Sequence, residues 1–237
     1  MSDALRRQVA TACRVIALEG YLDLTLGHVS ARAPGARTIW IKRMGVALDE
    51  VEPDDVIPLD LDDPDALERP GYHLESVMHA AVYHARPDVD SVIHGHPVYA
   101  TALGSTDAEL LMLTHDAVLF VDGIGEFDEG PDLVTDAHRA ARVAEALGGR
   151  RAALLRNHGV VIAGDDVRWA VLTALALERA IRFQSIAATL GQPRSIARAD
   201  AETLQPQKYR DAFMDDYWAA WERRVERSRI GRPVPDR

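Results

Sequence analysis

A single cysteine, Cys13, stands among the 237 residues. That excludes an internal disulfide framework and any Cys-x-x-Cys site, and it fits a reducing compartment. Basic side chains are scarce relative to acidic ones, 27 Lys and Arg against 37 Asp and Glu, for a net charge of −10. With a pI near 5.3, the chain lacks the basic footprint that a nucleic-acid binder needs. No apolar run approaches the roughly 20 residues that span a bilayer. The opening segment carries Arg14 inside its apolar stretch, so it reads as an amphipathic helix and not as a signal peptide. Also missing are a G-x-S-x-G elbow, a phosphate-cradling P-loop and a G-x-G-x-x-G turn; Gly123-Ile124-Gly125 lacks the third glycine and a following helix. The composition is otherwise globular, 47% hydrophobic and 27% charged. The expectation is a cytoplasmic protein that engages neither membrane nor nucleic acid.

Periodicity supplies the elements. Leu5, Val9, Ala12 and Ile16 recur at helical spacing and predict a helix over 3–18, closed by Gly20, with Cys13 on the same buried face. HVSARAP and RTIWIKR flank Pro34-Gly35-Ala36, which is a hairpin signal. Residues 49–70 are acidic and proline-rich, with one strand over 56–61. Leu74, Val77, Met78, Ala81, Val82 and Ala85 predict a helix over 74–85 with these residues buried. A strand over 89–96, a helical turn after Pro97, a helix over 132–147 and two strands around Asn157-His158-Gly159 follow. Asp165 or Asp166 caps a long helix over 167–190, and a last helix over 207–225 carries Phe213, Tyr217, Trp218 and Trp221. The tail from 227 reads as mobile. No repeat or boundary divides the chain. One domain over 1–237 is expected, α/β in class, with a mostly antiparallel central sheet between helical layers and a C-terminal helix and tail after about 205.

Nine histidines are present. His94 and His96 are separated by one residue on a predicted strand, so both imidazoles face one way, which suits two neighbouring ligands on a divalent metal. His158 occupies a tight turn between two apolar runs, where turn residues alone would suffice. Glu75 heads the helix upstream. The bland alternatives are polar strand-end residues, a capping histidine and a helix-dipole acid. Taken together, the four make a three-histidine, one-carboxylate set suited to Zn, Fe, Ni or Cu, with Mn admitted by the carboxylate.

The stretches GHVSAR at 27–32, HLESVMHAAVYHARPDVDSVIHGHPVYATAL at 73–103 and LLRNHGVVIAG at 154–164 resemble the class II aldolase/adducin head family, in order and spacing, across residues 5–190. The resemblance implies a three-layer α/β/α fold, commonly a homotetramer with active sites at subunit interfaces. It implies one divalent ion per subunit, Zn, Mn, Co or Fe, held by His94, His96 and His158, with Glu75 as the catalytic acid–base and occasional ligand. His79 and Glu178 match recurrent positions and read as supporting or packing residues.

The reaction is a matter of pocket walls, because C–C cleavage and decarboxylation leave the same kind of charge on a chelated substrate. The phosphate cradle of the sugar-phosphate aldolases has an asparagine, a Thr-rich loop and a serine pair. Here His28, Lys42-Arg43-Met44-Gly45 and His73-Leu74 stand in those places. Imidazole, guanidinium and ammonium groups suit carboxylates, although a solvated strand end is the plain alternative for Lys42 and Arg43. The GHVSAR form resembles the branch that decarboxylates hydroxylated aromatic or pyridine dicarboxylates such as a dihydroxyphthalate. His28, His73, Lys42 and Arg43 are the candidate substrate residues, and Tyr217, from a neighbouring subunit, is a weaker candidate proton donor. Aldol cleavage of a hydroxy-carbonyl compound, a non-catalytic adducin-like assembly role and non-haem iron oxygenase chemistry are the alternatives.

Overall fold

The computed structural model describes residues 2–63 and 65–229. Helix α1 (Ser2–Leu18) buries Val9, Ala12, Cys13 and Ile16 on the predicted stripe. Arg14 is buried on the same helix. It stays satisfied because its guanidinium donates to the carbonyls of Asp49, Glu50 and Val51 and to the Glu52 carboxylate. Strands β1 (His28–Arg32) and β2 (Thr38–Lys42) form the expected antiparallel hairpin, in register at Ser30 and Ile41. Gly35 takes the turn with φ 73°. Strand β3 (Val56–Asp60) pairs with β2. Then come α2 (Ser76–Ala85), β4 (Ser91–Gly95), α3 (Val98–Leu103), β5 (Gly125–Phe127) and α4 (Ala137–Leu147). The chain continues through β6 (Ala152–Leu155), β7 (Gly159–Gly164), α5 (Val167–Leu190), α6 (Arg198–Lys208) and α7 (Asp211–Arg229).

The strands form one seven-stranded sheet in the order β3-β2-β1-β4-β7-β6-β5, antiparallel except between β5 and β6. Alternate residues feed two separate cores. Val29, Ile93, Val160 and Ile162 pack under α1, α3, α5 and α7, whereas Ile39, Val92, Val161 and Ala163 pack under α2 and α4. The result is the three-layer α/β/α arrangement with a mostly antiparallel sheet. Among the described residues no helix is long and apolar enough to cross a membrane.

Four boundaries depart from the periodicity. Helix α2 begins at Ser76, and Leu74 is 69% exposed rather than buried; the inward face is Ser76, Met78, His79, Val82 and Tyr83. Helix α4 begins at Ala137, where Asp136 caps it by accepting the Arg139 N–H, so residues 132–135 are loop. The last predicted helix, over 207–225, begins later as α7 at Asp211, and α6 before it is absent from the sequence reading. Pro206, which brings no N–H to the helical ladder, lies near the end of α6, and the Tyr209 hydroxyl ties the break to the His115 carbonyl. Strand β5, absent from the sequence reading, has only three residues and is held by parallel pairing to β6. The tail expected from 227 onward is helical as far as Arg229, where α7 ends, and the rest of it lies outside the described residues.

Candidate metal centre

The site forms where β4 meets β7 and the start of α2. His94 is the penultimate residue of β4, wholly buried, and pairs across strands with His28 on β1 and Val161 on β7. His96 lies two residues on, so its ring meets that of His94 edge to face, with centroids 4.9 Å apart. His158 enters from the β6–β7 turn, which Asn157 makes possible by adopting φ 57°. Its ring lies 5.1 Å from both other rings. Glu75 closes the set from the first turn preceding α2, with carboxylate oxygens 3.5 Å from His94 Nε2 and from His158 Nε2. One ligand atom from each of the four residues falls within 4.8 Å of every other.

Hydrogen bonding decides which nitrogens face inward. His94 Nδ1 donates to the Val160 carbonyl at 3.0 Å. His96 Nδ1 donates to the Asp23 carboxylate at 2.8 Å, and the same carboxylate accepts the His96 backbone N–H at 3.0 Å. Each ring is thereby fixed with its Nδ1 protonated and its Nε2 lone pair free, as metal-binding imidazoles are. His94 Nε2 and His158 Nε2 are buried with no hydrogen-bond partner. Burial holds the His94 imidazole below its ordinary pKa, so no proton separates its lone pair from the Glu75 oxygen. Lone pairs aimed at a carboxylate repel one another unless a cation sits between them. The cluster therefore fits a divalent ion on its own geometry. Burial lowers the His96 pKa, and the Asp23 carboxylate more than reverses that, leaving it raised.

Asp23 carries much of this geometry and was not anticipated from the sequence, because it sits alone in a loop 73 residues from its partner. Two glycines make room for it. A Cβ on Gly95 would lie 2.7 Å from Asp23 Oδ2, and one on Gly27 would lie 2.8 Å from the same atom. Glu178, on α5, accepts the N–H groups of Tyr99 and Ala100 at the start of α3, both at 2.9 Å. It anchors the chain just after His96. The Glu75 carboxylate is tied by the Val134 N–H at 2.9 Å. Burial pushes that carboxyl up, but the hydrogen-bonding groups around it prevail and hold it well below the usual range.

The four expected substrate residues and Tyr217 fall into different places. His28 is 1% exposed and stands beside His94, ring centroids 5.1 Å apart, with Nδ1 engaged by His79. His73 lies against His28 at 4.6 Å. Its Nε2 accepts a hydrogen bond from Lys42 Nζ at 3.2 Å, and burial foremost lowers its pKa to about 4. Lys42 is wholly buried, and its ammonium also donates to the carbonyls of Thr25 and Arg43. All three of its protons are thus engaged, and neither a solvated strand end nor a free cation describes it. Arg43 turns the other way, half exposed, and pairs with Asp55 at 3.5 Å. Tyr217 lies on α7, its ring 6.4 Å from both Phe213 and Trp221, and lines a separate hollow with Asp116, Arg179 and Tyr209. Within one chain, His28 and His73 border the centre, and Arg43 and Tyr217 do not join the cluster.

A three-layer fold that gathers three imidazoles and a carboxylate at a sheet end defines a class of metal-site protein. Comparison with known proteins makes it specific. Residues 7–185 match the Class II Aldolase and Adducin N-terminal domain, and the chain belongs to that family. It is 31% identical over 198 residues to Decarboxylase NovR of Streptomyces niveus, covering 81% of this chain and 73% of that one. To 3,4-dihydroxyphthalate decarboxylase of Arthrobacter keyseri it is 32% identical, covering 73% and 74%. The crystal structure of an aldolase II superfamily protein from Pseudomonas syringae superposes with a TM-score of 0.83 at 27% identity, over 96% of this chain and 94% of that one.

Proposed function

We propose that this protein is a divalent-metal-dependent C–C lyase that decarboxylates a hydroxylated aromatic or pyridine dicarboxylate. The observation that carries the reading is His28, which leaves one imidazole nitrogen free beside His94 where the sugar-phosphate aldolases have an amide. The two decarboxylase relatives support it. His94, His96 and His158 would hold the ion, Zn, Mn, Co or Fe, with Glu75 within reach. A bound divalent ion supplies a Lewis acid for a substrate's hydroxyl and adjacent carboxylate.

The chain's own groups then have defined tasks. Glu75, 3.5 Å from two of the candidate ligand nitrogens, would accept the proton that the substrate hydroxyl gives up. As the carbon–carboxylate bond breaks and CO2 departs, the bonding pair stays on the ring carbon. Glu75 returns its proton there, and the phenolate regains one from water. His28 hydrogen-bonds a substrate oxygen. Lys42 and His73 back that wall, and the Arg43 guanidinium stands outside it, paired with Asp55.

The site is proposed to mature at a subunit interface of a homotetramer. Leu22 and Leu24 bracket Asp23, Leu74 precedes Glu75, and Leu133 precedes Val134; these leucines are 54–76% exposed. Apolar side chains that flank buried catalytic groups call for a cover. Tyr217 belongs to this reading as a residue that one subunit lends to another.

The test is a panel of metal-loaded protein against 3,4-dihydroxyphthalate, related hydroxypyridine dicarboxylates and L-fuculose 1-phosphate. The reading expects CO2 from an ortho-hydroxy dicarboxylate and no aldehyde from the sugar phosphate. Aldehyde release without CO2 would replace it with aldol cleavage.

A further inference from the structure

Behind the metal centre, His28 heads a line of four buried side chains, and the proposed chemistry does not use the other three. His28 Nδ1 meets His79 Nε2 at 2.7 Å, His79 Nδ1 meets Ser30 Oγ at 2.6 Å, and Ser30 Oγ meets the Tyr83 hydroxyl at 2.9 Å. All four residues are at most 1% exposed. Their placement follows from the secondary structure. His28 and Ser30 are i and i+2 on β1 and face α2 together; His79 and Tyr83 are i and i+4 on α2 and face back.

We propose that Tyr83, Ser30 and His79 are positioning residues that lock His28 as a hydrogen-bond donor through Nε2–H, so that the pocket selects a ligand bearing an acceptor oxygen at that point. The assignment of a ligand rests on the decarboxylase reading; the direction of the chain does not. Proton counting fixes that direction. The Tyr83 hydroxyl proton has one acceptor among the described residues, Ser30 Oγ. The Ser30 proton must then go to His79 Nδ1. A neutral His79 consequently carries its proton on Nε2 and gives it to His28 Nδ1. A neutral His28 keeps its own proton on Nε2, which has no hydrogen-bond partner among the described residues. Running the chain the other way leaves the buried Tyr83 proton without an acceptor, a loss that outweighs the net gain of a typical neutral hydrogen bond. In this arrangement each Nδ1 is an acceptor, so each ring carries a single proton and is neutral. A neutral, fixed N–H donor fits a carboxylate or phenolate oxygen and leaves an unanswered donor against a ligand that itself offers a proton.

The experiment uses zinc-loaded protein with nitrogen-15 histidine and long-range proton–nitrogen correlation spectra, in which the two tautomers give distinct patterns. Wild type should show His28 and His79 both protonated at Nε2, with His28 assigned by its loss in His28→Gln. Ser30→Ala should shift both rings toward a mixture of tautomers, and Ser30→Thr, which keeps the hydroxyl, should restore the wild-type pattern. Salicylate, as a probe that pairs a hydroxyl with a carboxylate, should bind Ser30→Ala about tenfold more weakly than wild type, the size of one hydrogen bond, at equal zinc content. Should Ser30→Ala fail to fold, Tyr83→Phe serves instead, since removing that hydroxyl removes the reason for the direction. His28 protonated at Nδ1 in wild type, or tautomers and salicylate affinity unmoved in the folded variants, would overturn the proposal. Wild-type tautomers as stated with no salicylate binding would support the chain and overturn the substrate reading instead.

Discussion

Replacing Asp23 by asparagine removes a charge from the contact that aims His96 while keeping the side chain's size. In the native site, Asp23 Oδ1 accepts from His96 Nδ1 at 2.8 Å and, with Oδ2, from the His96 backbone N–H at 3.0–3.1 Å. The carboxylate fixes the ring with Nε2 inward and makes that nitrogen a better donor to a cation. In Asp23→Asn the amide oxygen can still take the Nδ1 proton, so the tautomer survives and the charge does not. Loss of such a supporting carboxylate typically costs 10–100-fold in metal affinity, about 1.4–2.8 kcal/mol. Asp23→Ala removes both hydrogen bonds, lets the ring turn, and should lie at or beyond the upper end of that range. Zinc affinity measured by competition against a chromophoric chelator reads the effect directly. Glu178→Gln is the control, since it touches the α3 N-terminus and not a ligand ring. Affinity within twofold of wild type in both Asp23 variants would refute the reasoning that this carboxylate orients a ligand.

Three further outcomes follow from the same geometry. Gly95→Ala puts a methyl 2.7 Å from Asp23 Oδ2 and 2.9 Å from the Tyr21 ring; it should destabilise the fold by about 1–3 kcal/mol and weaken zinc binding, read by thermal melting and the same chelator competition. Glu75→Gln should retain zinc, because three imidazoles remain, while CO2 release falls by roughly a hundredfold or more; parallel metal analysis and gas release separate the two. Lys42 couples stability to pH: burial lowers its pKa from 10.5 to about 8, so between those values the unfolded chain holds a proton that the folded chain has shed, and stability rises with pH. Urea unfolding at pH 7.5 and 9 should show wild type gaining about 1 kcal/mol from this group, a gain that Lys42→Met loses; an equal gain in the variant would contradict it.

The elements legible in the sequence are those set by local pattern. The α1 stripe, the β1–β2 hairpin around Gly35 and the Asp166-capped α5 depend on neighbours within a few residues. The His94–His96 pair was legible for the same reason, since i, i+2 spacing at a strand end brings both rings to one side, although β4 itself stops at Gly95 and Asp23 aims the His96 ring. What escaped the sequence is nonlocal. The 132–135 segment reads as the start of a helix, yet it is loop and Val134 gives its N–H to Glu75, 59 residues away. Strand β5 exists only because β6 pairs with it. Lys42 and Arg43 are adjacent basic residues with the same sequence appearance, and strand alternation sends one into the core and the other to solvent. Asp23 shows no motif, and only its contacts with His96 and the two glycines around it reveal its part.

The most direct test of the metal centre is the X-ray absorption of zinc bound to the purified protein, with the stoichiometry measured on the same sample. The account predicts one tightly held ion per chain with three imidazole nitrogens at roughly 2.0–2.1 Å, and loss of that signature in His94→Ala. Zinc held by fewer than three imidazoles, or a wild-type signature that persists in His94→Ala, would contradict it.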